Sequence, residues 1–277
     1  MGRLPALEGA ALYESLYQHG YHNASQHPST KGAELLLHLR WLREEPRFRP
    51  QLSSLLDVGC SHGLLVQMMW DVDFKANGVD ISQTAVEMAR THHKHSSKMR
   101  PRCVGECFQQ ASATALPFAN SSFDAIISSD VLEHLTRDDT TVAVREFARI
   151  ARHFLLLKIA ASGEHIKVAH LVASEAARQN ASVPAQLHLT VGGPEYWVPR
   201  IAREGFQLHY QIASAKWRCC SYVFRRASRA EYPERPPGPW VRNSTPWGPK
   251  VLSAHIPAGA APISDRISFR RPPILGR

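Results

Sequence analysis

No run of about 18 consecutive apolar residues occurs anywhere in this 277-residue sequence, so a membrane-crossing helix is not expected. Cysteine is scarce. The five present (Cys60, Cys103, Cys107, Cys219 and Cys220) form an odd, partly adjacent set that does not read as a disulfide framework. The first eleven residues hold one Arg and too short an apolar segment for a secretory leader, which makes a reducing, cytoplasmic setting the expectation. Around His92, His93 and His95 no Cys or carboxylate stands at zinc-like spacing. A solvated helix end suits those imidazoles, and no metal site is expected.

Charge of one sign is also rare where it would matter most. The net charge is +9, yet the segment from Arg226 onward carries nine basic and three acidic residues. The preceding 225 residues hold 24 basic and 21 acidic groups, a nearly balanced body. Nucleic-acid recognition needs a basic patch on the folded part, so that partner class is disfavoured. Ten of the 19 prolines fall in the same tail, and residues 226–277 read as a disordered, basic, Pro-rich extension.

What the chain does have, at 44% hydrophobic, is enough apolar residues for one substantial core. Residues 1–50 read as a helical cap, with Tyr13, Leu16, Tyr17 and then Leu35, Leu36, Leu39 and Leu42 at helical spacing. From residue 51 to 225 the pattern alternates strand and helix. Strands are predicted near 54–59, 76–80, 107–111, 123–129, 153–160, 207–213 and 217–225. Helices are predicted near 64–71, 82–93, 139–151 and 194–204, with another around 167–179. This order implies an α/β, doubly wound, mostly parallel seven-stranded sheet with an antiparallel pair at one edge.

The chemistry concentrates in Leu55-Leu56-Asp57-Val58-Gly59-Cys60-Ser61-His62-Gly63. An apolar strand ending in an acid and a glycine turn, followed by a helix, is how such sheets hold a nucleoside-containing ligand. Asp80 closes a second strand 23 residues after Asp57, where an acid meets a ribose. The dinucleotide spacing fails, because Ser61 and Leu64 stand where its second and third glycines belong. The shorter spacing keeps Gly59 and Gly63 and loses only the middle glycine, to Ser61.

With these residues the chain resembles the class I methyltransferases that use S-adenosylmethionine, which have a Rossmann-like fold. Ala113-Thr114-Ala115-Leu116-Pro117-Phe118, Ser121 to Ile127 and Val131-Leu132-Glu133-His134-Leu135 extend the likeness over later motifs of that family. The resemblance implies S-adenosyl-L-methionine as cofactor, held by Asp57, Gly59, Cys60, Gly63, Asp80, Ile81, Ser112, Ala113 and Ser129. Ser112 stands where many members carry Asp, so one adenine contact is softened, as is the turn at Ser61. Each role has a plainer alternative: Asp57 as a turn cap, Ile81 as a core residue, the glycines as packing devices.

His134 is the candidate base or acceptor-contacting residue for an acceptor that must lose a proton, with Glu133 a weaker candidate and Asp130 a pocket or helix-cap group. A helix-face histidine is the plain alternative. Tyr13, Tyr17 and Tyr21 repeat every four residues and are candidates for a lid, or for a core stripe. His188-Leu189-Thr190 and Tyr196-Trp197 are candidates for the pocket wall. The nearly neutral body and the resemblance point to a small-molecule acceptor. The lack of an Asn-Pro-Pro-Tyr or Asp-Pro-Pro-Tyr sequence disfavours adenine or glutamine methylation. A catalytically silent scaffold that keeps the cofactor fold is the alternative; the acceptor and the oligomeric state are left open.

Overall fold

The computed structural model describes residues 8–21, 29–44, 52–94, 103–161, 169–182, 186–213 and 219–227. The expectations for the tail beyond residue 227 and for His95 lie outside these residues. Seven strands form one sheet: β1 (Ser54–Val58), β2 (Lys75–Asp80), β3 (Phe108–Gln110), β4 (Phe123–Ser129), β5 (Ala151–Ala160), β6 (Phe206–Ala213) and β7 (Cys219–Arg226). Their spatial order is β3-β2-β1-β4-β5-β7-β6. The first five run parallel, and β7 is antiparallel to both β5 and β6. The antiparallel pair expected at one edge is present, with β7 on the inside and β6 outermost. The order reverses between β1 and β4, and the carboxyl ends of those strands form the crevice where such sheets take ligands.

The helices are α1 (Gly9–Gln18), α2 (Ser29–Glu44), α3 (Leu64–Asp71), α4 (Gln83–Lys94), α5 (Arg137–Ile150), α6 (Ala169–Arg178) and α7 (Pro194–Arg203). Both sheet faces are covered, which is why every residue of β1 is buried despite the strand's period of two. On one face Leu56, Ile126, Leu155 and Leu157 pack with Val144 and Phe147 of α5 and Trp197 and Ile201 of α7. On the other, Leu55, Ala125, Ile127 and Leu156 pack with Leu35 and Leu39 of α2 and Val66 and Met69 of α3.

α5 starts two residues earlier than its apolar pattern because Thr136 caps it, accepting the Asp139 N–H at 3.2 Å. Asp138 and Asp139 complement the positive end of that helix, and Arg149 the negative end. A smaller cluster joins Leu12 and Leu16 of α1 to Val172 and Ala176 of α6 and to Leu187. It holds α1 over the carboxyl edge of the sheet.

Two expectations are corrected. Cys103 and Cys107 are joined by a disulfide, since the short loop entering β3 brings their Cα atoms to 5.2 Å. His93 is half-buried rather than solvated. Its ring stacks on Phe108 at 5.3 Å and meets Trp70 edge-on, filling apolar space behind the glycine turn. Among the described residues no helix is long and apolar enough to cross a membrane.

Candidate active site at the carboxyl edge of the sheet

The turn after β1 has Gly59 at φ 81°, Ser61 at 50° and Gly63 at 75°. All three positions are left-handed, a conformation that costs a residue with a Cβ about 1–2 kcal/mol. Two glycines avoid that cost and Ser61 bears it. Steric room is short as well. A Cβ on Gly59 would overlap Val131, and one on Gly63 would overlap Phe108 and crowd His93. The turn is tied to β2 by the N–H groups of Gly59 and Cys60, which both donate to the Val79 carbonyl at 2.8 and 2.9 Å.

Asp80 locks the same turn from the next strand. Its carboxylate accepts the Ser61 N–H at 2.9 Å through Oδ2 and the Ser82 N–H at 3.0 Å through Oδ1. Asp57 and Asp80 are both buried, 3% and 5% exposed. Burial raises Asp80 to about 6, against the lowering effect of the N–H groups of Ser82, Ser61 and Ile81. Burial raises Asp57 to about 8, helped by the charge of Asp80. Two carboxyls that resist ionisation in one crevice favour a ligand carrying positive charge. Cys60 is also buried; burial and then the two acids push its thiol up, so it is a packing residue rather than a nucleophile.

The remaining sequence-predicted ligands lie along the same edge. Ile81 is half-buried beside Asp80, its carbonyl accepting from Gln110 Nε2 at 3.1 Å. The Ser112 hydroxyl meets the Thr114 hydroxyl at 2.7 Å and accepts the Thr114 N–H at 3.2 Å. It shapes its own turn, next to the buried Ala113. Ser129, last in β4, donates to Asp130 Oδ2 at 3.1 Å. Asp130 has φ 57°, a second strained non-glycine position at the strand ends.

Helix α1 covers this crevice. Tyr17 is buried, 5.7 Å from the His62 ring, and burial and the Asp80 charge hold its phenol well above the usual tyrosine range. Glu14 accepts from the Ser82 hydroxyl at 2.7 Å, from the Thr84 N–H at 3.2 Å and from the Thr84 hydroxyl at 2.5 Å. Its partial burial would raise its pKa, but the hydrogen bonds from Thr84, Ser82 and Gln18 outweigh it and hold the carboxylate low. Ser82 in turn accepts the Ala85 N–H at 3.1 Å, so Glu14 seals the start of α4. The tyrosine periodicity had pointed at α1; the tie from Glu14 to Ser82 and Thr84 had no local signal, those partners lying about 70 residues away in sequence.

Beyond β4 the chain makes a one-turn 3-10 helix, Leu132–His134. His134 Nδ1 lies 3.1 Å from the Leu187 carbonyl, which can only accept. Nδ1 is therefore the protonated nitrogen, and Nε2 carries the lone pair in the neutral ring. Tyr13 meets the His134 ring edge-on at 5.7 Å, and His188 meets it at 4.9 Å. Glu133 is fully buried; its Oε1 accepts the Ala160 N–H at 3.1 Å, and its carbonyl accepts from Leu189 and Thr190. The structure thus brings His188 to the adjacent Glu133 and His134, a link that sequence spacing alone does not make. Trp197 is buried in the core with Val144 and Phe147 of α5, and Tyr196 packs against it.

Residues 56–153 match the family described as "Methyltransferase domain". A ubiquinone biosynthesis O-methyltransferase of Sinorhizobium medicae is 33% identical over 97 residues, 34% of this chain and 37% of that protein. An O-methyltransferase of Aspergillus nomiae is 33% identical over 108 residues, 38% of this chain and 45% of that protein. The chain thus spans less than half the length of these curated relatives. The fold is similar to that of the magnesium protoporphyrin IX methyltransferase of Synechocystis with bound SAM, at TM-score 0.56 and 15% identity, covering 80% of this chain and 99% of that one.

Proposed function

We propose that this chain, whose residues 56–153 match the methyltransferase domain, transfers a methyl group from S-adenosyl-L-methionine to a small-molecule acceptor, at oxygen. The observation that carries this reading is the Asp80 carboxylate bridging the Ser61 and Ser82 N–H groups beneath the left-handed turn. That arrangement presents an acid for ribose hydroxyls and a backbone that a ligand can approach closely. The residues present fit the cofactor: its amino and sulfonium charges suit the acids at positions 57 and 80, whose burial disfavours unpaired negative charge.

In this reading Asp80 holds the ribose and Asp57 orients the amino-acid end. Gly59, Cys60 and Gly63 form the close backbone, while Ile81, Ser112 and Ala113 line the adenine and Ser129 the edge of β4. Bound S-adenosylmethionine supplies an electrophilic methyl. Because charge disperses during in-line transfer, the chain contributes mainly position and exclusion of water. α1 supplies that exclusion through Tyr13 and Tyr17. His134 Nε2 is the basic atom on the acceptor side and takes the proton of an acceptor hydroxyl.

The O-methyltransferase relatives support oxygen as the methylated atom. A second reading, a silent cofactor-fold scaffold, is favoured by Ser61 in place of a glycine and by the locally engaged Ser112 hydroxyl. A tritiated-methyl transfer assay on fractionated lysate, run beside calorimetry with S-adenosylhomocysteine, separates the two. Label in a small acceptor supports the enzyme, and binding without transfer to any fraction supports the scaffold. Absence of binding overturns both.

A further inference from the structure

Glu133, His134 and His188 each bring one ligand atom to within 4.8 Å of the others, at the acceptor end of the crevice. Glu133 and His188 are buried, and His134 is half-buried. We propose that these three side chains bind a divalent first-row cation of the Zn2+ or Mn2+ kind. This reverses the expectation of no metal, which considered the histidines at 92–95 and left this group unexamined.

The donor set is one carboxylate oxygen and two imidazole nitrogens, which suits first-row divalent ions better than Ca2+ or Mg2+. Three protein ligands leave at least one coordination position open, as in catalytic rather than structural sites. The supporting shell is already built. The Leu187 carbonyl fixes the His134 ring at Nδ1, so Nε2 is the atom offered to a cation. The Ala160 N–H holds Glu133 Oε1, and the Leu189 and Thr190 N–H groups hold the Glu133 backbone. The Thr190 hydroxyl donates to the Leu135 carbonyl at 2.8 Å, pinning the His188 segment to the 3-10 turn.

Ligand atoms around a tetrahedral ion stand about 3.4 Å apart at bond lengths near 2.1 Å, so rotamer adjustment of the three side chains closes the site. The chain segments that carry them are already in register. His188 lies 54 residues from His134 in sequence, a separation with no motif to advertise it. The cation site stands on this geometry alone. Its task, to ligate and acidify an acceptor oxygen, rests on the methyltransferase reading. When the ion is bound, the His134 lone pair is committed to it, and the acceptor loses its proton to solvent instead of to His134.

The test is a Co2+ titration of the full chain, followed by d–d absorption, with Zn2+ as competitor and without S-adenosylmethionine. The expected result is saturation at one Co2+ per chain, reversed by Zn2+. Glu133→Gln and His188→Gln should each weaken binding by more than the roughly 10–100-fold that loss of an outer-sphere partner costs. Circular dichroism in chelator checks their fold, and His134→Gln, at the half-buried position, serves if either fails to fold. Absent bands, or bands that persist at wild-type affinity in the folded variants, overturn the site. Calorimetry with S-adenosylhomocysteine in chelator separates the two readings. Cofactor binding without Co2+ binding removes the cation site alone; Co2+ binding without cofactor binding keeps the site and removes its methyl-transfer task.

Discussion

Protonation of Asp80 should set the pH dependence of cofactor binding. Its carboxylate is raised to about 6 by burial, against the opposing N–H groups of Ser82, Ser61 and Ile81. An acid raised in the folded state binds its proton more tightly there than in the unfolded chain. The folded protein is therefore favoured at low pH, and this contribution is lost as pH rises from about 4 through about 6. Ligand binding runs the other way, because ribose hydroxyls donate to the ionised form. The ionised fraction for a group at about 6 changes from roughly a tenth at pH 5 to roughly nine-tenths at pH 7.

Affinity for S-adenosylhomocysteine should consequently rise by up to about tenfold across that interval, or about 1.4 kcal/mol. A neutral carboxyl still accepts weakly, so tenfold is a ceiling. Asp57, raised to about 8, extends the rise on the alkaline side when the ligand ammonium draws its proton off. Isothermal titration calorimetry at constant ionic strength, in buffers of differing ionisation enthalpy, measures both the affinity and the proton released. Asp80→Asn should bind weakly and show a flattened profile between pH 5 and 7. Constant wild-type affinity over that range, or an unchanged slope in Asp80→Asn, would refute the assignment of the ribose to Asp80.

The turn itself supplies two stability predictions. Gly59→Ala adds a Cβ at φ 81° that overlaps Val131, combining conformational strain of about 1–2 kcal/mol with overpacking of about 1–3. Urea denaturation should show a loss of about 2–5 kcal/mol, and a loss under about 1 would contradict the close approach to Val131. Ser61→Gly relieves a left-handed serine at φ 50° but gives the unfolded chain more freedom, leaving about 0.5 kcal/mol of net stabilisation. The melting temperature should rise by roughly 1–2 °C, and a fall would show that the serine side chain is needed where it stands.

Strand positions were legible because a doubly covered sheet favours short apolar cores, as in Leu55-Leu56 of β1 and Ala125-Ile126-Ile127 of β4, bounded by turn residues. The glycine turn was legible because φ at 59 and 63 leaves no good substitute. The contacts of Glu14 with Ser82 and Thr84 were not, since they join segments about 70 residues apart through hydrogen bonds that leave no periodic trace. The pairing of His134 with His188 was hidden for the same reason. The Cys103–Cys107 bond was missed because a spacing of four matches no metal or redox motif.

Tyr13 and Tyr17 lie on one face of α1, four residues apart, and each meets a different half of the crevice. Tyr17 meets the His62 ring and feels the charge of Asp80, on the proposed cofactor side, while Tyr13 meets His134 on the proposed acceptor side. Between them Glu14 ties the same helix to the start of α4, and Leu12 and Leu16 tie it to α6. A rigid helix held at these points cannot shift over one half without disturbing the other. In the proposed reading, occupancy of the ribose site and closure over the acceptor therefore share a single moving part. That is the arrangement a reaction requires when both partners must be shielded from water together.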